Sequence, residues 1–191
     1  MKGKLQIPGL KDEDIEYLVN LRNYKYYCAT VANFLKGICP FCTIDPAVNK
    51  VFYENDTWVA FHCPSAFKAK NLEYHIVLAP RKHHTHFCGM SDQEKNDWVK
   101  TLGWVISSYD LQGGAIVMRF GDASLNAGSI RHLHANIMVP DKKGRVEVTL
   151  AKSPEEVEEK WRMVAVFEKM RQGMPFYRLT ADEQALVHNR L

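Results

Sequence analysis

The side chains best suited to chemistry lie in residues 131–140, which read Arg-His-Leu-His-Ala-Asn-Ile-Met-Val-Pro. Polar and apolar residues alternate here, and a period of two predicts a half-buried strand. His132, His134 and Asn136 then project from one face of that strand. Each of them needs a hydrogen-bond or metal partner there, because an unpaired polar group is costly to bury. We therefore expect a functional site on this face, against the alternative of an ordinary strand with surface histidines.

A turn of small residues, Asn126-Ala127-Gly128-Ser129, comes just before this strand. The backbone N–H groups of such a turn can approach an anion closely. Histidines that follow a turn of this kind indicate chemistry on phosphate groups.

The run His132-Leu133-His134-Ala135-Asn136 resembles the signature of the histidine-triad (HIT) superfamily, whose members hydrolyse or transfer nucleotides through a histidine nucleophile. The family has histidine or glutamine at the third position, where this chain has asparagine. The resemblance covers about residues 37–165 and looks closest to the diadenosine-polyphosphate phosphorylase-like branch.

The resemblance implies a role for each residue at a matching position. His134 would be the nucleophile and would form a nucleotidyl-histidine. Ser129 and the Gly128 N–H would hold phosphate oxygens, and Asn136 would donate its amide to a non-bridging oxygen. An amide cannot act as an acid, so the pattern favours transfer between phosphate-type groups over hydrolysis of poor leaving groups. The predicted phosphate- or nucleotide-binding residues are Gly128, Ser129, Asn136, Asn126 and Arg119.

A Cys-x-x-C unit, Cys39-Pro-Phe-Cys42, has three interpretations. It could be half of a structural zinc site, a redox pair, or two buried thiols. A redox pair should open a long helix that lowers the thiol pKa, and Pro46 interrupts any helix soon after Cys42. Zinc is therefore the favoured prediction.

The HIT resemblance supplies the two missing zinc ligands. In zinc-containing relatives the two cysteines join a histidine after the Pro-Lys-x strand and the first histidine of the triad. Those positions match His83 and His132, which gives a closed Cys₂His₂ structural set with Cys39 and Cys42. His84 and His86 are neighbours that could substitute for His83.

Three departures from the family pattern favour a second hypothesis. The asparagine of the family's Asn-x-Gly turn is missing, since Arg119 or Phe120 stands there before Gly121. Cys63 stands where relatives carry an acid that binds ribose hydroxyls, and a thiol is a poor acceptor for them. Asp141 follows Pro140, where phosphorylase-like relatives often carry arginine. The alternative is therefore a catalytically reduced HIT-fold nucleotide-binding or scaffold protein. In relatives, a nucleobase binds at the edge that would correspond to Phe52, Tyr53, Trp58 and Phe61. The other interpretation is that these four side chains belong to the hydrophobic core.

The hydrophobic pattern predicts the elements that position these residues. Helices are expected over 11–27, from Ser91 to Tyr109 with Ile106 on its core face, over 153–172 and from Thr180. Strands are expected over 51–54, 57–62, 73–79, 115–119, 131–140 and 146–150, with a loop over 120–129. Strands followed by helices indicate an α+β fold. The resemblance makes it a HIT-like antiparallel sheet of about five strands with packed helices and extra terminal helices.

We predict an N-terminal helical extension over 1–36, a HIT-like domain over 37–172 and a C-terminal helical tail over 173–191. The formal net charge of +3 over 191 residues is too small to argue for nucleic acid as a partner, which also counts against a zinc-knuckle nucleic acid binder. No run reaches the length of a membrane span, and the N-terminus lacks the apolar core of a signal peptide. We expect a cytoplasmic location, a nucleotide substrate and, from the resemblance, a homodimer.

Overall fold

The computed structural model describes residues 5–45, 48–64 and 68–191. The described chain forms two compact units. The sheet unit contains Cys39–Gly121 and His132–Val148, and the helical unit contains the described residues up to Ile38 together with Asp122–Arg131 and Thr149–Leu191. The prediction about a signal peptide concerned the N-terminal residues. Residues 1–4 of that segment lie outside the described part of the chain.

The sheet unit is built on five antiparallel strands in the order β1-β2-β3-β5-β4. Their bounds are β1 Val51–Glu54, β2 Trp58–His62, β3 Leu72–Pro80, β4 Ala115–Arg119 and β5 His134–Pro140. The strand that carries His134 and Asn136 therefore lies between β3 and β4, with hydrogen-bonded neighbours on both sides. The α+β prediction and the antiparallel sheet are confirmed.

Hydrogen bonds of the Asn55 side chain stabilise the turn of the β1–β2 hairpin. The side-chain Oδ1 of Asn55 accepts from the backbone N–H groups of Thr57 and Trp58, at 3.1 and 2.8 Å. This is the turn that an Asn-Asp pair between two apolar runs predicts. The indole N–H of Trp58 donates to the Glu94 carbonyl at 2.7 Å and so anchors the sheet to the following helix.

Helix α3, Asp92–Ser108, packs on β2 and β3. It begins after Ser91, where the helix was expected to start, and Ser91 and Glu94 exchange the hydrogen bonds of a capping box. Val105 is fully buried on its core face, whereas Ile106 is 38% exposed. The prediction that Ile106 belongs to the core face is therefore wrong, because Val105 already takes the inward position on that turn of the helix.

The helical unit contains helices α1 Asp12–Leu18, α2 Tyr24–Leu35, α4 Ala123–Asn126, α5 Pro154–Arg171 and α6 Ala181–Val187. Its core includes Leu18, Leu21, Val164 and Phe167, all fully buried. Helix α5 starts at Ser153, as predicted, and Ser153 forms a capping box with Glu156. Gly173 follows the helix at φ +101°, a backbone conformation that favours glycine.

The predicted helix over 11–27 is wrong, because the chain breaks it into α1 and α2. Asn23 adopts an extended backbone and its side chain accepts from the Tyr26 N–H at 2.8 Å, so it starts a new helix. That second helix runs on to Leu35. The apolar residues 15–21 gave no sign of this break, because the stripe continues through it.

Two further predictions of local structure are wrong. The predicted loop over 120–129 contains the short helix α4, which Asp122 caps by accepting from the Ser124 N–H at 2.7 Å. The predicted strand over 146–150 does not form. The preceding strand, β5, is already paired on both sides, and residues 146–150 do not pair with the outer side of β1 or β4 either.

No helix among the described residues is both long and apolar enough to cross a membrane.

Candidate active site and metal cluster

His134 opens strand β5, and its ring is held by the backbone. Nδ1–H donates to the main-chain carbonyl of His132 at 2.7 Å. Because Nδ1 then carries the proton of the neutral ring, Nε2 keeps its lone pair. Burial lowers the pKa of His134 to about 4, and the Arg119 and His75 charges act in the same direction. The imidazole is therefore neutral at pH 7, and Nε2 carries the lone pair.

Two further side chains lie beside the His134 ring. Arg119 is its register partner across β4 and β5, and directly opposite residues of an antiparallel pair project from the same face. Phe41 packs edge-on against the imidazole, with ring centroids 5.0 Å apart. The register pairing puts Arg119, a predicted phosphate-binding residue, on the same face of the sheet as His134. The Phe41 contact was not predicted, since nothing in the spacing connects Phe41 with His134.

Asn136 is buried and held between two neighbours. Its Oδ1 accepts from Nε2–H of His75 at 3.0 Å, and its Nδ2 donates to the Val117 carbonyl at 3.4 Å. The amide thus has a fixed orientation, and one of its two N–H bonds is directed at the backbone. Sequence reasoning missed His75 as a site residue. The sequence feature that could have indicated His75 is its place just before the apolar residues 76–80, because a buried imidazole needs a polar partner.

Four side chains of metal-ligating types converge in the sheet unit. The ligand atoms of Cys39, Cys42, His83 and His132 all lie within 4.8 Å of one another. Cys39 Sγ lies 3.3 Å from His132 Nδ1, and Cys42 Sγ lies 3.3 Å from His83 Nδ1. Tetrahedral zinc, with Zn–S near 2.3 Å and Zn–N near 2.1 Å, would separate sulfur and nitrogen by about 3.6 Å. The cluster has the residue types and the approximate dimensions of a Cys₂His₂ site.

The hydrogen bond of His132 fits a ligand role. Its Nε2–H donates to the Pro80 carbonyl at 2.8 Å, which leaves Nδ1 with the lone pair that faces the two sulfurs. Such a bond fixes the tautomer and the ring orientation of a metal-binding histidine. Burial, followed by the adjacent Cys39, raises the pKa of Cys42 to about 11, and a bound cation would oppose that effect by stabilising thiolate.

The structure also bears on the other interpretations of the Cys-x-x-C unit. Cys42 is exposed and Cys39 is partly exposed, so they are not two buried thiols. The described residues between Cys42 and β1 form turns and irregular backbone rather than the helix a redox pair requires.

His84 and His86 do not substitute for His83. His84 is buried and contacts Glu94, with Nε2 and Oε1 2.8 Å apart, and His86 packs against Phe120. Burial raises the pKa of Glu94, but hydrogen bonds with His84 and Ser91 outweigh it and bring the value to about 2.

The predicted phosphate turn belongs to the helical unit. Asn126 ends α4, and its Oδ1 accepts from the Gly128 N–H at 2.7 Å. Ala127 takes a left-handed conformation between them, at φ +50°. The Gly128 N–H is thus engaged within the turn, so a phosphate contact at this point depends on Ser129, which is partly exposed.

The expected nucleobase edge divides into two parts. Trp58 and Phe61 are 0% and 1% exposed and form core, so they cannot line an open pocket. Phe52 and Tyr53 are half-buried, and the Tyr53 ring stacks on Trp104 with centroids 4.4 Å apart. The aromatic surface is therefore provided partly by α3, which the strand pattern did not indicate.

No protein-family model matches this chain, and no curated protein matches it. Solved structures of histidine-triad proteins do match. A histidine triad protein from Clostridium difficile is 22% identical, over 57% of this chain and 96% of that chain, with a TM-score of 0.44. A HIT family hydrolase from Clostridium thermocellum is 19% identical, over 58% and 96%, with a TM-score of 0.46.

A zinc-bound histidine triad family protein from Mycobacterium smegmatis is 17% identical, over 71% of this chain and 97% of that chain, with a TM-score of 0.41. These three proteins carry the name of the superfamily that the His-x-His-x-Asn run resembles.

Proposed function

We propose that this chain is a HIT-type nucleotide hydrolase or transferase that acts on dinucleoside polyphosphates or related nucleotides through a nucleotidyl-histidine intermediate. The observation that carries the proposal is the hydrogen bond from His134 Nδ1–H to the His132 carbonyl. It holds a neutral imidazole in the one tautomer in which Nε2 can attack phosphorus.

In the first step, the Nε2 lone pair forms a bond to the α-phosphorus, and the bond from phosphorus to the bridging oxygen breaks. The leaving nucleotide departs with the electron pair. Arg119 is the cross-strand partner of His134, and in this proposal its guanidinium would offset negative charge on the phosphoryl oxygens. Ser129, five residues before His134 in the chain, is the proposed hydroxyl donor to a phosphate oxygen.

In the second step, an oxygen of water or of inorganic phosphate attacks the same phosphorus, and the bond to Nε2 breaks. Water would release a nucleoside monophosphate and a proton, and phosphate would release a nucleoside diphosphate. Asn136 has no titratable proton, so the leaving group must depart as an anion or take its proton from elsewhere. A polyphosphate leaving group meets that requirement better than an amine or an alcohol does.

The residues of the metal cluster fit zinc, which would be held by Cys39, Cys42, His83 and His132. With four protein ligands the site would be closed, and zinc there would contribute folding free energy rather than an open coordination position. His132 would connect the metal to β5, because its own carbonyl accepts from the nucleophile. A homodimer and a cytoplasmic location accompany this proposal as expectations.

A second candidate function is nucleotide binding without turnover. It is favoured by Cys63 at the expected ribose-binding position and by Asn136, whose amide is held by His75 and Val117 in the absence of substrate. A binding or scaffold protein would retain the site but release no products.

One experiment separates the two candidates. Full-length protein is incubated with diadenosine tetraphosphate, with and without inorganic phosphate, and the products are resolved by anion-exchange chromatography. Hydrolysis gives AMP and ATP, and phosphorolysis gives ADP and ATP. Binding in the absence of products would support the second candidate, and neither binding nor products would overturn both.

A further inference from the structure

The N-terminal helices make specific contacts with the predicted phosphate turn. The loop that carries this turn, Asp122–Arg131, belongs to the helical unit, together with α1 and α2. Within the turn the Gly128 N–H is engaged by Asn126, and Gly128 itself is buried. The position of the next residue, Ser129, therefore depends on what holds Gly128 in place.

Asn20, in the break between α1 and α2, holds the backbone of this loop. Its Nδ2 donates to the Gly128 carbonyl at 2.7 Å and makes a longer bond, 3.4 Å, to the Ala123 carbonyl. These two acceptors lie at the start of α4 and in the turn that follows it. One side-chain amide thus fixes the loop at two points.

Tyr26, in the first turn of α2, contacts the serine directly. Its hydroxyl oxygen lies 3.2 Å from Ser129 Oγ, and either oxygen can donate. A serine hydroxyl has one proton and two lone pairs. When Ser129 accepts from Tyr26, its own proton stays available for a phosphate oxygen, and its rotamer is fixed before the ligand arrives.

The same asparagine also holds a cation. Asn20 Oδ1 accepts a hydrogen bond from Lys152 Nζ. The amide that donates to the turn therefore also keeps an ammonium group in its neighbourhood, on the segment that leads into α5. A positive charge held near an anion-binding turn lowers the free energy of a bound phosphate.

We infer that Asn20 and Tyr26 are positioning residues of the phosphate site, so that the N-terminal helical segment is part of the machinery that binds nucleotide phosphates. This inference rests on the proposed function and adds to it. The ligand class is a nucleotide whose phosphate meets Ser129. Neither residue touches the reacting atoms, and each acts through the turn.

The test compares binding of AMP and of adenosine, measured by isothermal titration calorimetry on the full chain. The variants are Asn20→Ala, Asn20→Asp and Tyr26→Phe. The controls are Asn189→Ala and Tyr177→Phe, which alter exposed residues of the same unit. Each positioning variant should bind AMP about two- to tenfold more weakly, the usual effect of losing one neutral hydrogen bond, with adenosine affinity unchanged.

Asn20→Asp separates the two contacts of the amide. It keeps an acceptor for Lys152 and removes the donor to Gly128, so it should weaken AMP binding at least as much as Asn20→Ala does. Hydrogen exchange supplies a readout that does not depend on a ligand. Amides of residues 123–130 should exchange faster in both Asn20 variants than in the Asn189→Ala control, at an unchanged melting temperature.

The outcomes are distinguishable. If the wild-type chain binds no AMP, the proposed function fails and this inference fails with it. If the wild-type chain binds AMP and the variants bind it equally tightly, only this inference is overturned. Equal losses for AMP and adenosine would also overturn it, because they would show a general structural defect rather than a phosphate-specific one.

Discussion

His134 donates its Nδ1–H to the main-chain carbonyl of His132, 2.7 Å away, while His132 donates its own Nε2–H to the Pro80 carbonyl at 2.8 Å. Two successive donations therefore run from the proposed nucleophile to the strand β3. The first leaves Nε2 of His134 with a lone pair, and the second leaves Nδ1 of His132 facing Cys39 and Cys42. The tautomers of both rings are thus set by backbone carbonyls.

Removal of the nucleophile should abolish turnover and leave the fold intact. We expect His134→Ala to lower the rate of product formation from diadenosine tetraphosphate by about 10³-fold or more, because the covalent step requires Nε2. His188→Ala, at an exposed histidine, serves as the control and should retain wild-type turnover. Unchanged turnover in His134→Ala would refute the catalytic assignment.

The activity should persist at acidic pH. With the pKa of His134 near 4, Nε2 stays unprotonated down to about pH 5. The pH–rate profile should therefore be flat from pH 8 to about 5.5 and fall toward pH 4. A histidine of ordinary pKa near 6.5 would already have lost about nine tenths of its neutral form at pH 5.5. A midpoint near 6.5 that belongs to the chemical step would contradict the geometry described for the ring.

The same lowered pKa makes a prediction for stability. The unfolded chain binds a proton at this ring near pH 6.5, whereas the folded chain does so only near pH 4. The contribution of His134 to the free energy of unfolding is thus fully present above pH 6.5 and is lost as pH falls through about 4. Urea unfolding of wild type and His134→Gln at pH 7.5 and 4.5 should show the larger decrease for wild type.

Metal should stabilise the chain. We expect about one equivalent of zinc per chain by elemental analysis, and loss of that zinc in Cys39→Ser and Cys42→Ser. At a free zinc concentration 1,000 times the dissociation constant, the metal would add about 4 kcal/mol to the free energy of unfolding. A chelator should therefore lower the melting temperature of wild type.

Cys88→Ser is the matched control for the metal prediction, because Cys88 is exposed and lies outside the cluster. It should retain zinc and the response to chelator. A wild-type chain that holds no zinc after purification with added zinc would contradict the proposed centre.

The apolar face of the histidine strand should carry much of the stability of the sheet unit. Leu133 is 1% exposed and packs in the core with Ala135 and Ile137. Leu133→Ala should lower the free energy of unfolding by about 2–5 kcal/mol, from lost burial and a residual cavity. Leu125→Ala, at a residue 73% exposed, should stay within about 0.5 kcal/mol in the same urea titration.

Local signals in the sequence predicted most of the elements. The capping residues Ser91 and Ser153 start α3 and α5 where they were expected, because a cap depends only on residues three positions away. The alternation around His134 predicted which side chains enter the core, and Leu133, Ala135 and Ile137 do so. The Cys-x-x-Cys spacing indicated Cys39 and Cys42 as zinc ligands, the family resemblance added His83 and His132, and the four side chains converge in the structure.

The sequence by itself thus determined the types of most of the elements, the apolar face of the histidine strand and the candidate ligands. Only the tertiary structure decided which partners those side chains meet. Asn136 accepts a hydrogen bond from His75 on another strand. The Gly128 carbonyl accepts one from Asn20, which lies between two helices more than a hundred residues away. The tertiary structure also decided that residues 146–150 form no strand, since pairing depends on whether the fold brings a segment alongside a strand edge. Hydrogen bonds between distant segments depend on how the chain packs, which no local period encodes.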